Sequence, residues 1–178
     1  MDKQDLEKLR FPIGRYAPGD SIGPDDVLTW VDHIRVLPAE LSHLLEHISA
    51  EELQRQYRPG SWTVQQLVHH IADSHCNAYV RMKRTLTEDV PTIVPYDEKA
   101  WANLPDVDAI PLQVSLSLIT AVHTRLQTAI SDLSIAQLSR EFRHADFDRP
   151  HSMAYLIGMY AWHGRHHLQH LRIALGKV

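Results

Sequence analysis

The chain has 178 residues, of which 44% are hydrophobic and 22% charged, and a net charge of -4 with histidine neutral. These are ordinary values for one globular domain, here spanning residues 1–178, and they give no electrostatic reason to expect nucleic acid or an anionic membrane as a partner. The single cysteine, Cys76, excludes an internal disulfide framework, the residues after Met1 lack the apolar core of a signal peptide, and no apolar run reaches the roughly 18 residues needed to span a bilayer, so a cytoplasmic protein is expected.

Residues 1–24 carry Pro12, Gly14, Pro18, Gly19, Gly23 and Pro24, too much punctuation for a long element, and are expected to form an irregular N-terminal arm. A first helix is predicted from about Asp25 to Ile48 on the spacing of Val27, Trp30, Val31, Ile34, Leu37, Leu41, Leu44, Leu45 and Ile48, with Pro38 kinking or dividing it. Its His43 and His47 are spaced i, i+4, but with His33 they read as surface or flanking residues. Thr63-Val-Gln-Gln66 has the spacing of a capping box and opens a second helix to about Leu86, with His69, His70 and His75 upon it. His69 points away from the apolar stripe, His75 lies near its centre and His70 on its shoulder; periodicity alone does not choose between His70 and His75 as a ligand.

Residues 87–111 contain four prolines together with Tyr96, Asp97, Glu98 and Trp101. So long a connection predicts a lid or wall over a site, with a short helix near Asp97 to Asn103. A third helix follows from about Leu112 to Leu133, then a polar connection to Pro150 with a turn near Ile135 to Leu138. A fourth helix runs from about His151 to Leu175 and stops at Gly176. Four amphipathic helices without a convincing strand predict an all-α fold, a four-helix bundle with a long loop between its second and third helices.

The chemistry concentrates in the last helix, where His163, His166, His167 and His170 fall within eight residues of a chain holding 13 histidines. At 3.6 residues per turn His163 and His167 stand one above the other, able to present two imidazoles to one ion. His166 and His170 form a second such pair further round from the apolar stripe and rank below them. One more histidine from the second helix makes three protein donors with open positions, the pattern of a catalytic rather than a structural metal. Zinc suits imidazole and is the first choice, with nickel or another divalent ion able to compete.

The stretches Ser61-Trp-Thr-Val-Gln-Gln-Leu-Val-His-His70, Pro95-Tyr-Asp-Glu-Lys-Ala-Trp101 and Tyr160-Ala-Trp-His163-Gly-Arg-His-His167, with Phe11-Pro-Ile-Gly-Arg-Tyr16, resemble the DinB-like superfamily and, within it, the YfiT group of metal-dependent hydrolases. The resemblance implies a four-helix bundle holding one divalent ion through three histidines, which map by motif position to His70, His163 and His167. It also implies a small-molecule substrate and a homodimer, for which Trp30 and Trp162 offer extra apolar surface. Two reactions suit such a site: hydrolysis, with Asp73, Asp97 or Glu98 as the proton relay, and transfer of a low-molecular-weight thiol such as bacillithiol. Metal binding without catalysis is a third reading.

Overall fold

The computed structural model describes residues 2–19, 21–145 and 148–177, so residues 1 and 20 of the expected arm, 146 and 147 of the polar connection, and 178 lie outside the described residues. Twelve elements follow one another among these: α1 (Lys3–Arg10), α2 (Pro24–Leu44), α3 (Ala50–Leu53), α4 (Val64–Thr87), β1 (Thr92–Ile93), α5 (Glu98–Trp101), α6 (Pro105–Ala109), α7 (Leu112–Ile130), α8 (Ile135–Leu138), β2 (Glu141–His144), β3 (His151–Ser152) and α9 (Met153–Leu175). The four long helices are the four predicted, and they form the bundle. Around it they are arranged α2, α9, α4, α7, each packing on two neighbours. Consecutive long helices α2 and α4 therefore face each other across the diagonal, as do α7 and α9. No single helix among the described residues is long and apolar enough to cross a membrane.

Local chemistry sets the helix ends. Pro24 opens α2, where the Gly23 backbone N–H donates to Asp26 Oδ2 at 2.8 Å. Thr63 and Gln66 form the reciprocal cap expected for α4, at 3.2 and 3.0 Å. Ser152 accepts from the Tyr155 N–H to start α9, and Gly176, at φ +65°, ends it in the left-handed conformation that glycine tolerates.

Pro38 neither ends nor divides α2, which runs unbroken from Pro24 to Leu44. Lacking an N–H, it leaves the Ile34 carbonyl one turn earlier without its helical donor. The vacancy is filled from α7, where His123 Nδ1 donates to Ile34 O at 2.6 Å.

Two expectations are corrected. The N-terminal arm is not wholly irregular: Asp2 accepts from the Asp5 N–H and starts α1. Strands do form: β1, β2 and β3 make a three-stranded sheet in that order, parallel between the first pair and antiparallel between the second. Elements of two to four residues are too short to display an alternating pattern.

The apolar core falls into two clusters, one including Ile34, Met82, Phe142 and Tyr160 and the other Leu41, Leu67, Ile71 and Leu168. Along α9, His163, His166 and His167 occupy the interval between Tyr160 and Leu168, and His170 follows just beyond it. The arm closes over α9: Tyr16 Oη donates to Tyr155 O at 3.0 Å, and Trp162 Nε1 donates to Gly14 O at 3.1 Å. Trp30 and Trp162, expected as interface surface, are thus engaged within the chain, Trp30 packing on the first core cluster.

Close approach here depends on Gly158, since a Cβ at this position would lie 2.7 and 2.8 Å from Trp30 Cζ3 and Cε3. Replacing it by alanine favours a helix by up to about 1 kcal/mol in isolation. Overpacking against a rigid indole costs about 1–3 kcal/mol and should win. Gly158→Ala is therefore expected to lower the denaturant midpoint; an unchanged or raised midpoint would mean that Trp30 and the arm yield freely.

Candidate metal centre

His70 lies on the second turn of α4, and His163 and His167 one turn apart on the neighbouring α9. The structure brings all three together, with one nitrogen from each lying within 4.8 Å of the others. His70 Nε2 and His163 Nε2 are 3.1 Å apart, and the His163 and His167 ring centres 4.5 Å apart. A tetrahedral zinc bound at about 2.0–2.1 Å would hold its nitrogens about 3.3–3.4 Å from one another, close to the spacing of the first pair. Trp62 walls the group, its ring centre 4.6 Å from that of His70.

His70 and His167 are buried, and His163 is partly accessible. Burial disfavours the imidazolium form and drives the His70 pKa down to about 4. The same effect, with repulsion from neighbouring histidines added, holds His163 and His167 well below the ordinary value. Three neutral imidazoles with free lone pairs form a donor set suited to a divalent transition ion.

The remaining histidines correct the view of α9. His166 and His170, expected as the more peripheral pair, are only 6% and 2% exposed, and with His167 they form a second group within 4.8 Å. The reason is the arm and the loop before α4, which cover that side of the helix. His170 stacks on Tyr57 at 3.8 Å and its Nε2 donates to Leu9 O at 3.1 Å, while its Nδ1 lies 3.3 Å from His167 Nδ1. His166 is held between Trp162 and Phe11, with Nδ1 buried and unpartnered. His75 is fully buried, its Nδ1 2.8 Å from His123 Nε2 and its Nε2 3.2 Å from His163 Nδ1. His69 faces α7, with Nδ1 2.7 Å from Ser115 Oγ. His43 and His47 are exposed, as expected.

The three carboxylates read as proton relays differ. Asp97 is exposed and its carboxylate accepts from the Ala100 N–H to cap α5. Asp73, one turn after His70, is half-buried, and burial together with the charge of Asp106 raises its pKa. Glu98 is exposed as a residue, but its carboxyl borders a cavity of about 370 Å³ shared with Arg81, Tyr96 and His144. Burial raises its pKa there, and the Arg81 charge opposes the rise.

Three groups beside the centre were not singled out by the sequence. Arg81 donates to Tyr160 Oη at 2.7 Å and to Val94 O at 3.1 Å, and its charge acts on His163. Ser74 Oγ lies 3.4 Å from His163 Nε2. Tyr96, read only as a loop anchor, has its hydroxyl buried; burial raises its pKa, and the Ser74 hydroxyl acts in the opposite sense. The long loop thus does form a wall at this end of α4. Arg81 and Ser74 carried a weak signal, as polar residues on the helix that presents His70.

Residues 33–171 match the DinB superfamily. A Bacillus cereus (strain AH820) protein, whose name proposes a metal-dependent hydrolase, is 41% identical over 166 residues, covering 93% of this chain and 95% of its own. A Bacillus anthracis (strain A0248) protein of the same naming has the same identity and coverage. Among solved structures, YfiT from Bacillus subtilis superposes with a TM-score of 0.89 at 38% identity, over 96% of this chain and 99% of its own. Its description proposes a metal-dependent hydrolase with an unusual four-helix bundle topology, and the fold of this chain matches it. Matched along most of its length in both sequence and fold, this chain belongs to the DinB superfamily.

Proposed function

We propose that the protein is a metal-dependent hydrolase of a small-molecule substrate, with one divalent ion, zinc in the first instance, held by His70, His163 and His167. The observation that carries this reading is the convergence of three neutral imidazole nitrogens from two helices to within 4.8 Å. The names of the relatives support the same class. An ion held there supplies Lewis acidity and acidifies water at neutral pH.

The chain's own groups do the rest. Arg81, fixed by Tyr160 and Val94, presents a positive charge beside His163 that suits an anionic group on the substrate. Asp73 and Glu98, whose pKa values are raised by burial, are the carboxyls best suited to relay a proton. Trp62 packs against His70 and His167 and walls one side of the site. The second reading is transfer of a low-molecular-weight thiol. It is favoured by the same charge pattern, because three neutral ligands and a nearby guanidinium leave a cationic site able to hold a thiolate. A homodimer belongs to this proposal too. Half-buried Trp30 and Trp162 remain the apolar surface expected for it, and the exposed Val114 and Leu118, one turn apart on α7, offer a second.

Elemental analysis of purified variants tests the ligand set. His70→Ala and His163→Ala should each lose most of the bound metal, whereas His69→Ala should retain it; loss from the His69 variant would discredit the assignment. Activity on a panel of esters, amides and electrophiles, with and without small thiols, separates the reactions. Metal-dependent turnover without thiol is expected, turnover that requires thiol would sink hydrolysis in favour of transfer, and none at all would leave metal binding alone.

Acidification adds a third test. A proton competes with the ion for each lone pair, so affinity falls by up to about tenfold per pH unit per competing proton once pH drops below a ligand's pKa. Because that pKa is about 4 for His70 and depressed for the other two, metal should stay bound at pH 6 and be released only as pH falls below about 4. Release centred near 6.5 in dialysis at stepped pH would mean that the ligands titrate as ordinary exposed imidazoles.

A further inference from the structure

A neutral imidazole has one N–H and one lone pair, so a chain of hydrogen-bonded histidines is directional, and whatever it ends on sets every member. Two such chains leave α9. The first runs from His163 Nδ1 to His75 Nε2 at 3.2 Å, from His75 Nδ1 to His123 Nε2 at 2.8 Å, and from His123 Nδ1 to Ile34 O at 2.6 Å. A carbonyl only accepts. His123 therefore carries its proton on Nδ1 and accepts on Nε2, which places the His75 proton on Nδ1 and, by the same step, the His163 proton on Nδ1. The second runs from His167 Nδ1 to His170 Nδ1 at 3.3 Å and from His170 Nε2 to Leu9 O at 3.1 Å. Here the Leu9 carbonyl fixes the His170 proton on Nε2, so His170 Nδ1 accepts and His167 Nδ1 donates.

We infer that His75, His123 and His170 are positioning residues, whose two chains, anchored on the Ile34 and Leu9 carbonyls, hold His163 and His167 as Nδ1–H tautomers with both Nε2 lone pairs turned to the metal. The inference rests on the three-histidine metal site proposed above and is independent of the reaction catalysed there. The two chains converge on the same answer from opposite sides of α9, and the fold supplies the carbonyl at the end of each. Ile34 O is free for His123 because Pro38 has no N–H to give it, and Leu9 O is delivered by the N-terminal arm at the end of α1. His75 is fully buried and His123 and His170 are each 2% exposed, so water has little access to the inner members of these chains. The second buried histidine group on α9 is then a support for His167 rather than a site of its own.

Zinc affinity, measured by competition with a chromophoric chelator, tests the chains alongside thermal melting of each variant. His75→Leu, His123→Leu and His170→Leu should each weaken zinc binding by about 10–100-fold, the usual effect of removing the partner of a ligating histidine. His75→Gln should recover most of the loss, since its amide oxygen can accept the His163 Nδ1–H in place of His75 Nε2. Equal affinity in the wild type and the leucine variants, or a glutamine variant no better than leucine, would overturn the role of the chains. Should a leucine variant fail to fold, long-range ¹H–¹⁵N correlation spectra of the wild-type imidazoles decide the matter without substitution. They should report Nδ1–H for His163, His167, His75 and His123 and Nε2–H for His170, and the opposite tautomer at His163 or His167 would overturn the inference. These spectra need no metal, so a wild type that binds no zinc defeats the metal site while the tautomers are still read. Two zinc ions per wild-type chain would overturn the His170 limb by making that group a binding site.

Discussion

The structure depends on a requirement imposed by burying imidazole rings. Each neutral ring must find both an acceptor for its N–H and a donor or an ion for its lone pair, because an unmet polar group away from water costs about 1–3 kcal/mol. For most of its buried rings the bundle meets this by lining up imidazoles from α4, α7 and α9 so that the surplus lone pairs gather at His70, His163 and His167, while His69 Nε2 and His166 Nδ1 stay without a partner among the described residues. An ion there would complete the hydrogen-bonding economy of the layer as well as any chemistry. The two apolar clusters on either side make the layer dry enough for the requirement to bite.

The diagonal arrangement of the helices serves the same end. With α9 packed between α2 and α4, its histidines meet His70 and His75 on one side, while on another they fall under residues of the N-terminal arm. Connections that cross the diagonal are longer than those of a simple up-and-down bundle, and they carry the groups that enclose the centre: Trp62 precedes α4, and Tyr57 stacks on His170. The loop between α4 and α7 adds Tyr96 and the short helices α5 and α6.

Much of this was legible in the chain. The four long helices follow from the spacing of apolar residues, and Thr63 and Gly176 mark real ends because capping chemistry is local. The pairing of His163 with His167 follows from helical geometry alone. The choice of His70 over His75 did not: one lies on the shoulder of the apolar stripe of α4 and the other near its centre, periodicity admits either as a ligand, and family resemblance was needed. The burial of His166 and His170 could not be read from α9, since what covers them comes from Leu9, Phe11 and Tyr57, residues more than a hundred positions away. The three strands escaped notice for a different reason: segments so short carry no period, and their pairing is set by the loops that bring them together.

Pro38 shows how a local defect becomes a global specification. Judged as a helix residue it is a fault, and anyone idealising this bundle for design would replace it to regularise α2. The substitution would hand the Ile34 carbonyl a donor from its own helix and set it in competition with the His123 imidazole that now reaches it from across the bundle. A scaffold improved in that way would be expected to have a better first helix and a less determinate set of protons in its core. Transplanting the proposed metal centre into a designed bundle therefore means carrying over an irregularity in a helix that contributes none of its three histidines.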